Sequence, residues 1–87
     1  MEKNLLDWRQ KNVLLLLACG LSEAHAGERL YLGKDTIHNE RKAIHHKLNV
    51  HVFVVALVVA LLTEQVTLDE LRWVFNTLSP LPKDLPE

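Results

Sequence analysis

Eighty-seven residues allow one small domain and no more. Hydrophobic residues at 48% and charged residues at 24% are the balance of a folded globular chain, which excludes general disorder. Ten Lys and Arg against eleven Asp and Glu give a net charge of -1, so positive charge can only be local, and the single Cys excludes a disulfide framework or a Cys-rich zinc site and suits a reducing cytosol.

Only three Gly and three Pro occur, with all three Pro in residues 80–87, so turn signals are sparse and helices are favoured over a sandwich or barrel. Asp7 followed by Gln10 forms a capping box that opens a helix from Trp8 to about Cys19, and Gly20 supplies its left-handed stop. Ser22 caps a second helix from Glu23 to about Leu30, and Gly33 is expected to break the chain after it. A third helix spans about Lys34 to Leu48, with Ile37, Ala43, Ile44 and Leu48 at helical spacing and Asn49 as a left-handed end. Residues 34–51 carry a charge of +2 and four of the five His, which makes this the basic part of the chain.

Val50–Leu62 is rich in β-branched residues, but its length and neighbours favour a buried helix. Val52–Leu62 is apolar on every face and, at eleven residues, far shorter than the ~20 needed to span a bilayer. Thr67 and Glu70 form a second capping box, with Val66 and Leu71 as a hydrophobic staple. A fifth helix follows, with Leu68, Leu71, Val74, Phe75 and Leu78 as its apolar stripe, stopping at Ser79-Pro80. The expected organisation is a domain over 1–62, a helical extension over 63–79 and a Pro-rich tail over 80–87, an all-α bundle of four helices plus a fifth. Leu16-Leu17-Ala18-Cys19 has the shape of a lipoprotein cleavage box, but the apolar stretch before Cys19 is shorter than a signal segment needs. The expectation is a cytoplasmic protein with no membrane partner.

The second and third helices, joined by a short link containing Gly33, have the sequence shape of a helix-turn-helix. Residues 6–61 resemble the LuxR/GerE-type helix-turn-helix domain of bacterial transcription regulators. The family's L-T-x-R-E-x-x-V-L reads here Leu6-Asp7-Trp8-Arg9-Gln10-Lys11-Asn12-Val13-Leu14, and its A-x-G-x-S reads Ala18-Cys19-Gly20-Leu21-Ser22. Its I-A-x-x-L becomes Ala26-Gly27-Glu28-Arg29-Leu30. Its T-V-x-x-H-x-x-x-I-x-x-K-L becomes the run from Thr36 to Leu48. The register holds without a gap. The chain departs from the pattern at Gly33, where a Ser usually caps the recognition helix, at Glu40, where a His is usual, and at Val52-Phe53-Val54, which replace polar residues.

The resemblance implies a recognition helix over 34–48 that enters the major groove of double-stranded DNA. Carried over residue by residue, the base-facing residues are His38, Asn39 and Lys42, and the phosphate contacts are Lys34, Arg41 and Lys47. Asn suits adenine, Lys suits guanine acceptors, and phosphate contacts position without specifying. Glu40 is expected to lie near the DNA and oppose its approach.

No His pair has i,i+4 spacing, so no metal site is expected; the His residues serve better as partial positive charge near phosphate. No cofactor is implied, and no nucleophile elbow, phosphate-binding Gly loop or paired-carboxylate signature supports an enzyme. Cys19 reads as a small buried residue, and Trp8 and Trp73 read first as core packing and second as partner contacts.

A helix apolar all round needs more than one partner. One face of Val52–Leu62 belongs on the core, the fifth helix can cover a second, and a third awaits another chain. The resemblance makes this helix a dimer seam, and the i,i+4 stripes Val54/Val58 and Val55/Val59 are expected to divide into one seam and one core stripe. The expected function is a small stand-alone dimeric DNA-binding transcription regulator. The alternative is an interaction protein of the same fold that binds another transcription regulator or RNA polymerase without touching DNA. Low net charge, Gly33 and Glu40 favour the alternative; the basic 34–51 segment and Asn39 favour DNA.

Overall fold

A computed structural model describes residues 5–78, so the expected stop at Ser79-Pro80 and the tail over 80–87 lie outside the described residues. Five helices follow one another: α1 (Trp8–Ala18), α2 (Glu23–Leu30), α3 (Lys34–Leu48), α4 (Phe53–Leu62) and α5 (Leu68–Leu78). Among the described residues there is no strand. The fold is therefore all-α, a small helix-turn-helix bundle with a fifth helix.

Local chemistry sets the helix ends. Asp7 Oδ1 accepts the Gln10 N–H at 2.8 Å while Gln10 Oε1 accepts the Asp7 N–H at 3.2 Å, which satisfies two amides that the first turn leaves orphaned. Thr67 and Glu70 do the same for α5, at 3.0 and 2.9 Å. Ser22 Oγ caps α2 through the His25 N–H at 3.1 Å. Gly20, at φ 98°, turns the chain after α1, and Asn49, at φ 57°, ends α3.

Gly33 does not end α2. The left-handed residue there is Tyr31, at φ 59°, while Gly33 is extended at φ -72° and serves as the N-cap of α3 without a side-chain bond. The glycine on which the turn depends is Gly27. Leu32 donates to Gly27 O at 2.8 Å, and a Cβ on Gly27 would collide with the Leu32 carbonyl oxygen. The turn is folded down onto the helix it leaves, and α2 and α3 pack against each other along it.

Val13 and Leu14 from α1, Ile37 and Ile44 from α3, and Ala56 and Ala60 from α4 are fully buried together with Ala26 and Val66. Val66 lies beyond the expected boundary at residue 62, and the Gln65 side chain accepts the Leu6 N–H at 2.7 Å. The linker after α4 is thus part of the core, and packing does not break between 62 and 63.

Two expectations about α4 and α5 are corrected. The core stripe of α4 is Ala56 and Ala60, flanked by Phe53, Leu57 and Leu61; neither valine stripe is in the core. Val54, Val55 and Val58 are exposed and Val59 is half-buried. The small Ala side chains let α4 settle against α3 and α1, and the larger valines are left outside. The fifth helix packs on α1 rather than on α4, through half-buried Leu71, Val74, Phe75 and Leu78. The two Trp also stand outside the core, Trp8 at 76% and Trp73 at 69% exposure.

No single helix among the described residues is long and apolar enough to cross a membrane. Cys19 is half-buried at the end of α1, and burial pushes its thiol above the usual range, which leaves it a poor nucleophile at neutral pH.

Candidate nucleic-acid interface

α3 is amphipathic because its apolar residues recur every three to four positions. Ile37 and Ile44 point inward and are fully buried, so the residues half a turn away point outward. Asp35, His38, Asn39, Lys42 and His46 are all exposed there, with Lys34 at the start of the helix. The structure therefore brings the three expected base-facing residues, His38, Asn39 and Lys42, onto one open surface. The side chains of Lys34, Asn39 and Lys42 make no hydrogen bond or ion pair among the described residues.

The two flanks of α3 are tied to neighbouring helices. On the α2 side, Glu23 Oε2 lies 3.0 Å from His38 Nδ1 and 3.4 Å from Arg41 Nη1. Arg41 and His38 remain about half exposed in this contact. On the α1 side, Glu40 and Lys47 converge on Gln10, which is only 5% exposed. Gln10 Nε2 donates to Glu40 Oε1 at 3.2 Å, and Lys47 Nζ donates to Gln10 Oε1 at 2.8 Å and to Leu5 O at 3.1 Å. Arg9 Nη1 closes the group on Glu40 Oε2 at 3.2 Å.

These contacts turn three of the side chains considered above away from the open surface of α3. Glu40 is turned toward α1, where it pairs with Arg9 and accepts a hydrogen bond from Gln10 Nε2. Lys47 is half-buried with its ammonium spent on the segment that enters α1, which removes it from the outer face. His45 points into the junction of α3 and α4, with its ring 6.3 Å from that of Phe53 and its Nε2 buried without a partner. Burial, then the charges of Arg41 and His51, hold its pKa below the usual imidazole value, so it supplies no positive charge to a phosphate at neutral pH.

Gln10 and Glu40 are both departures from the pattern that residues 6–61 resemble. The pattern has an acid at position 10 and a His at position 40; this chain has an amide and an acid. The two side chains touch, with the carboxylate of the contact on α3 and the amide on α1. Neither partnership could be read from the sequence, since the pairs lie 15 to 37 residues apart.

The first turn of α3 also lacks a side-chain cap, since Gly33 offers no acceptor. Its amides are thus available to an external anion. On α4, Val52, Val54, Val55, Val58 and Leu62 are each between 45% and 78% exposed, a continuous apolar surface on the helix that follows the recognition face.

A family model described as bacterial regulatory proteins, luxR family (GerE), matches residues 4–60, well over half of the chain. No curated protein and no solved structure matches it.

Proposed function

The chain belongs to the LuxR family of bacterial regulatory proteins, and from that premise we propose that it is a dimeric DNA-binding transcription regulator that reads DNA with the outer face of α3. The observation that carries this reading is the open surface of His38, Asn39 and Lys42 on the second helix of the turn, with Lys34 beside it. Asn39 has the donor and acceptor that an adenine edge requires, and Lys42 is a donor for guanine O6 and N7. Lys34, Arg41 and the uncapped amides of the first turn meet phosphates.

Dimer formation follows from α4. A second copy covers the Val54, Val55, Val58 face, and burial of each such side chain contributes up to ~1.5–3 kcal/mol. In an isologous pair the two α3 helices face successive major grooves about 34 Å apart, which suits a palindromic site.

The test is a DNA-binding titration across salt. Affinity falls linearly on a log–log scale, by about 0.9 for each phosphate neutralised. Lys42→Ala relaxes base preference by about 1–3 kcal/mol, while Lys34→Ala weakens all sequences alike. The absence of measurable binding at low salt would reject this reading in favour of a second one, an interaction protein that docks on another regulator or on RNA polymerase. That second reading is favoured by one specific observation: Arg41 and Lys47, two of the four cations of α3, are already partnered inside the chain.

A further inference from the structure

Glu23 is the first residue of α2, and its side chain is only 18% exposed. One of its oxygens serves both His38 and Arg41, which stand one turn apart on α3. An ionised carboxylate only accepts, so His38 Nδ1 carries the hydrogen in this contact. The start of a helix also favours negative charge, through the unpaired amides of its first turn. The position thus has the donors and the potential that an anion seeks, and the chain fills it with its own carboxylate.

We infer that Glu23 is an internal anion that competes with a DNA phosphate for Arg41 and holds His38 back from the bases, and so sets how tightly α3 holds nucleic acid. The inference rests on the DNA-binding reading above. A backbone phosphate presents the same charge and the same kind of acceptor oxygen as Glu23. Two anions cannot share one pair of donors at contact distance without repulsion. Binding therefore requires Arg41 and His38 to leave Glu23, or Glu23 to turn away. Other acids do not take this part: Glu40 is held on the opposite flank by Arg9 and Gln10, and Asp35, exposed on the outer face, pairs with neither group among the described residues.

The experiment uses Glu23→Gln in the full chain, which keeps the shape and removes the charge. Against a duplex of random sequence, the variant binds about threefold tighter than wild type at low salt, on the scale of a partly exposed ion pair. Its log–log salt slope is steeper by about 1, the signature of one more phosphate contact. In the Arg41→Gln background the gain shrinks. A second arm probes the free protein with inorganic phosphate and follows the Arg41 Nε–H resonance. Phosphate shifts it in the variant and leaves it unmoved in wild type. Unchanged or weaker DNA binding by Glu23→Gln, or equal phosphate responses in the two proteins, overturns the inference. If neither protein binds DNA, the regulator reading fails, and the phosphate arm alone decides the role of Glu23.

Discussion

The outer faces of α3 and α4 meet solvent in opposite ways. The α3 face is polar, and two of the four cations of the helix are held by other residues of the same chain. The α4 face is apolar, with five large aliphatic side chains about half to three-quarters exposed. Water hydrates the first at no cost. The second loses roughly 25 cal/mol for each Å² of apolar surface left wet. In the dimeric regulator proposed above, the two faces would divide the work: α4 would supply the free energy of assembly, and α3 selectivity through groups that are individually weak. A strong apolar seam and a muted basic face also fit each other, because two coupled recognition helices need less affinity apiece than one.

The largest effect separates the inner and outer sides of α4. Ala56 is fully buried, so Ala56→Asp puts an unpaired carboxylate in the core at a cost of about 3–5 kcal/mol. That is comparable to the whole stability of a small domain, and circular dichroism should show loss of helix. Val58 is 46% exposed, so Val58→Asp should keep its helicity and convert a dimer to a monomer by light scattering. If both variants unfold, the outer face is structural. If the wild type is monomeric at micromolar concentration, the apolar face serves a different protein and the division of work proposed here breaks.

A smaller effect tests how the α3 face is neutralised on its α1 side. Gln10→Glu would set a second carboxylate against Glu40 across a contact of 3.2 Å, and should destabilise by about 1–2 kcal/mol despite Lys47 nearby. Glu40→His removes the acceptor of Gln10 Nε2 and of Arg9, with a cost of similar size. The double variant carries the residues of the pattern and should recover about 1–2 kcal/mol relative to the sum, measured by urea unfolding. Strict additivity would mean that the two positions are independent and that the contact carries no energy. Because Glu40 faces α1, Glu40→Gln should leave DNA affinity nearly unchanged, in contrast to an acid that opposes the groove.

The difference between local and distant chemistry also explains what could be read in advance. Both capping boxes, the Ser22 cap, the Asn49 end and the bounds of α3 depend on residues within four positions of one another, and sequence spacing contains all of that information. The inner face of α4 was illegible because a helix apolar on every side has no direction. Ala56 and Ala60 were selected by size, as the residues that permit close approach, and hydropathy does not register this. The seat of α5 was missed for a related reason: its stripe declares that it packs, but not on which neighbour. The family resemblance picked out His38, Asn39 and Lys42, and all three are exposed. The inward contacts of Lys47 and Glu40 were not legible because a charged side chain on a flank can turn either way, and Gln10, thirty or more residues earlier, decides which.

The smallest predicted effect lies at the junction of the two faces. His45 packs against Phe53, the first residue of α4, with Nε2 buried and unpartnered. Burial, Arg41 and His51 all disfavour its charged form, so its folded pKa lies below the value of 6.5. In the unfolded chain the imidazole titrates near its ordinary value of about 6.5. Below that pH the unfolded state binds more protons than the folded one, and stability must fall with pH. The contribution is fully present above 6.5 and is lost as pH falls through the folded pKa. His45→Leu keeps an apolar contact with Phe53 and removes the proton site. Between pH 7 and pH 5.5, the thermal midpoint of wild type should therefore drop more than that of the variant. The other four His are common to both proteins, so the difference reports His45 together with its coupling to His51. Parallel curves would mean that the ring is solvated and that α3 and α4 are joined without a buried imidazole between them. A convergence on acidification would instead tie the relative placement of the recognition face and the apolar seam to one uncharged side chain.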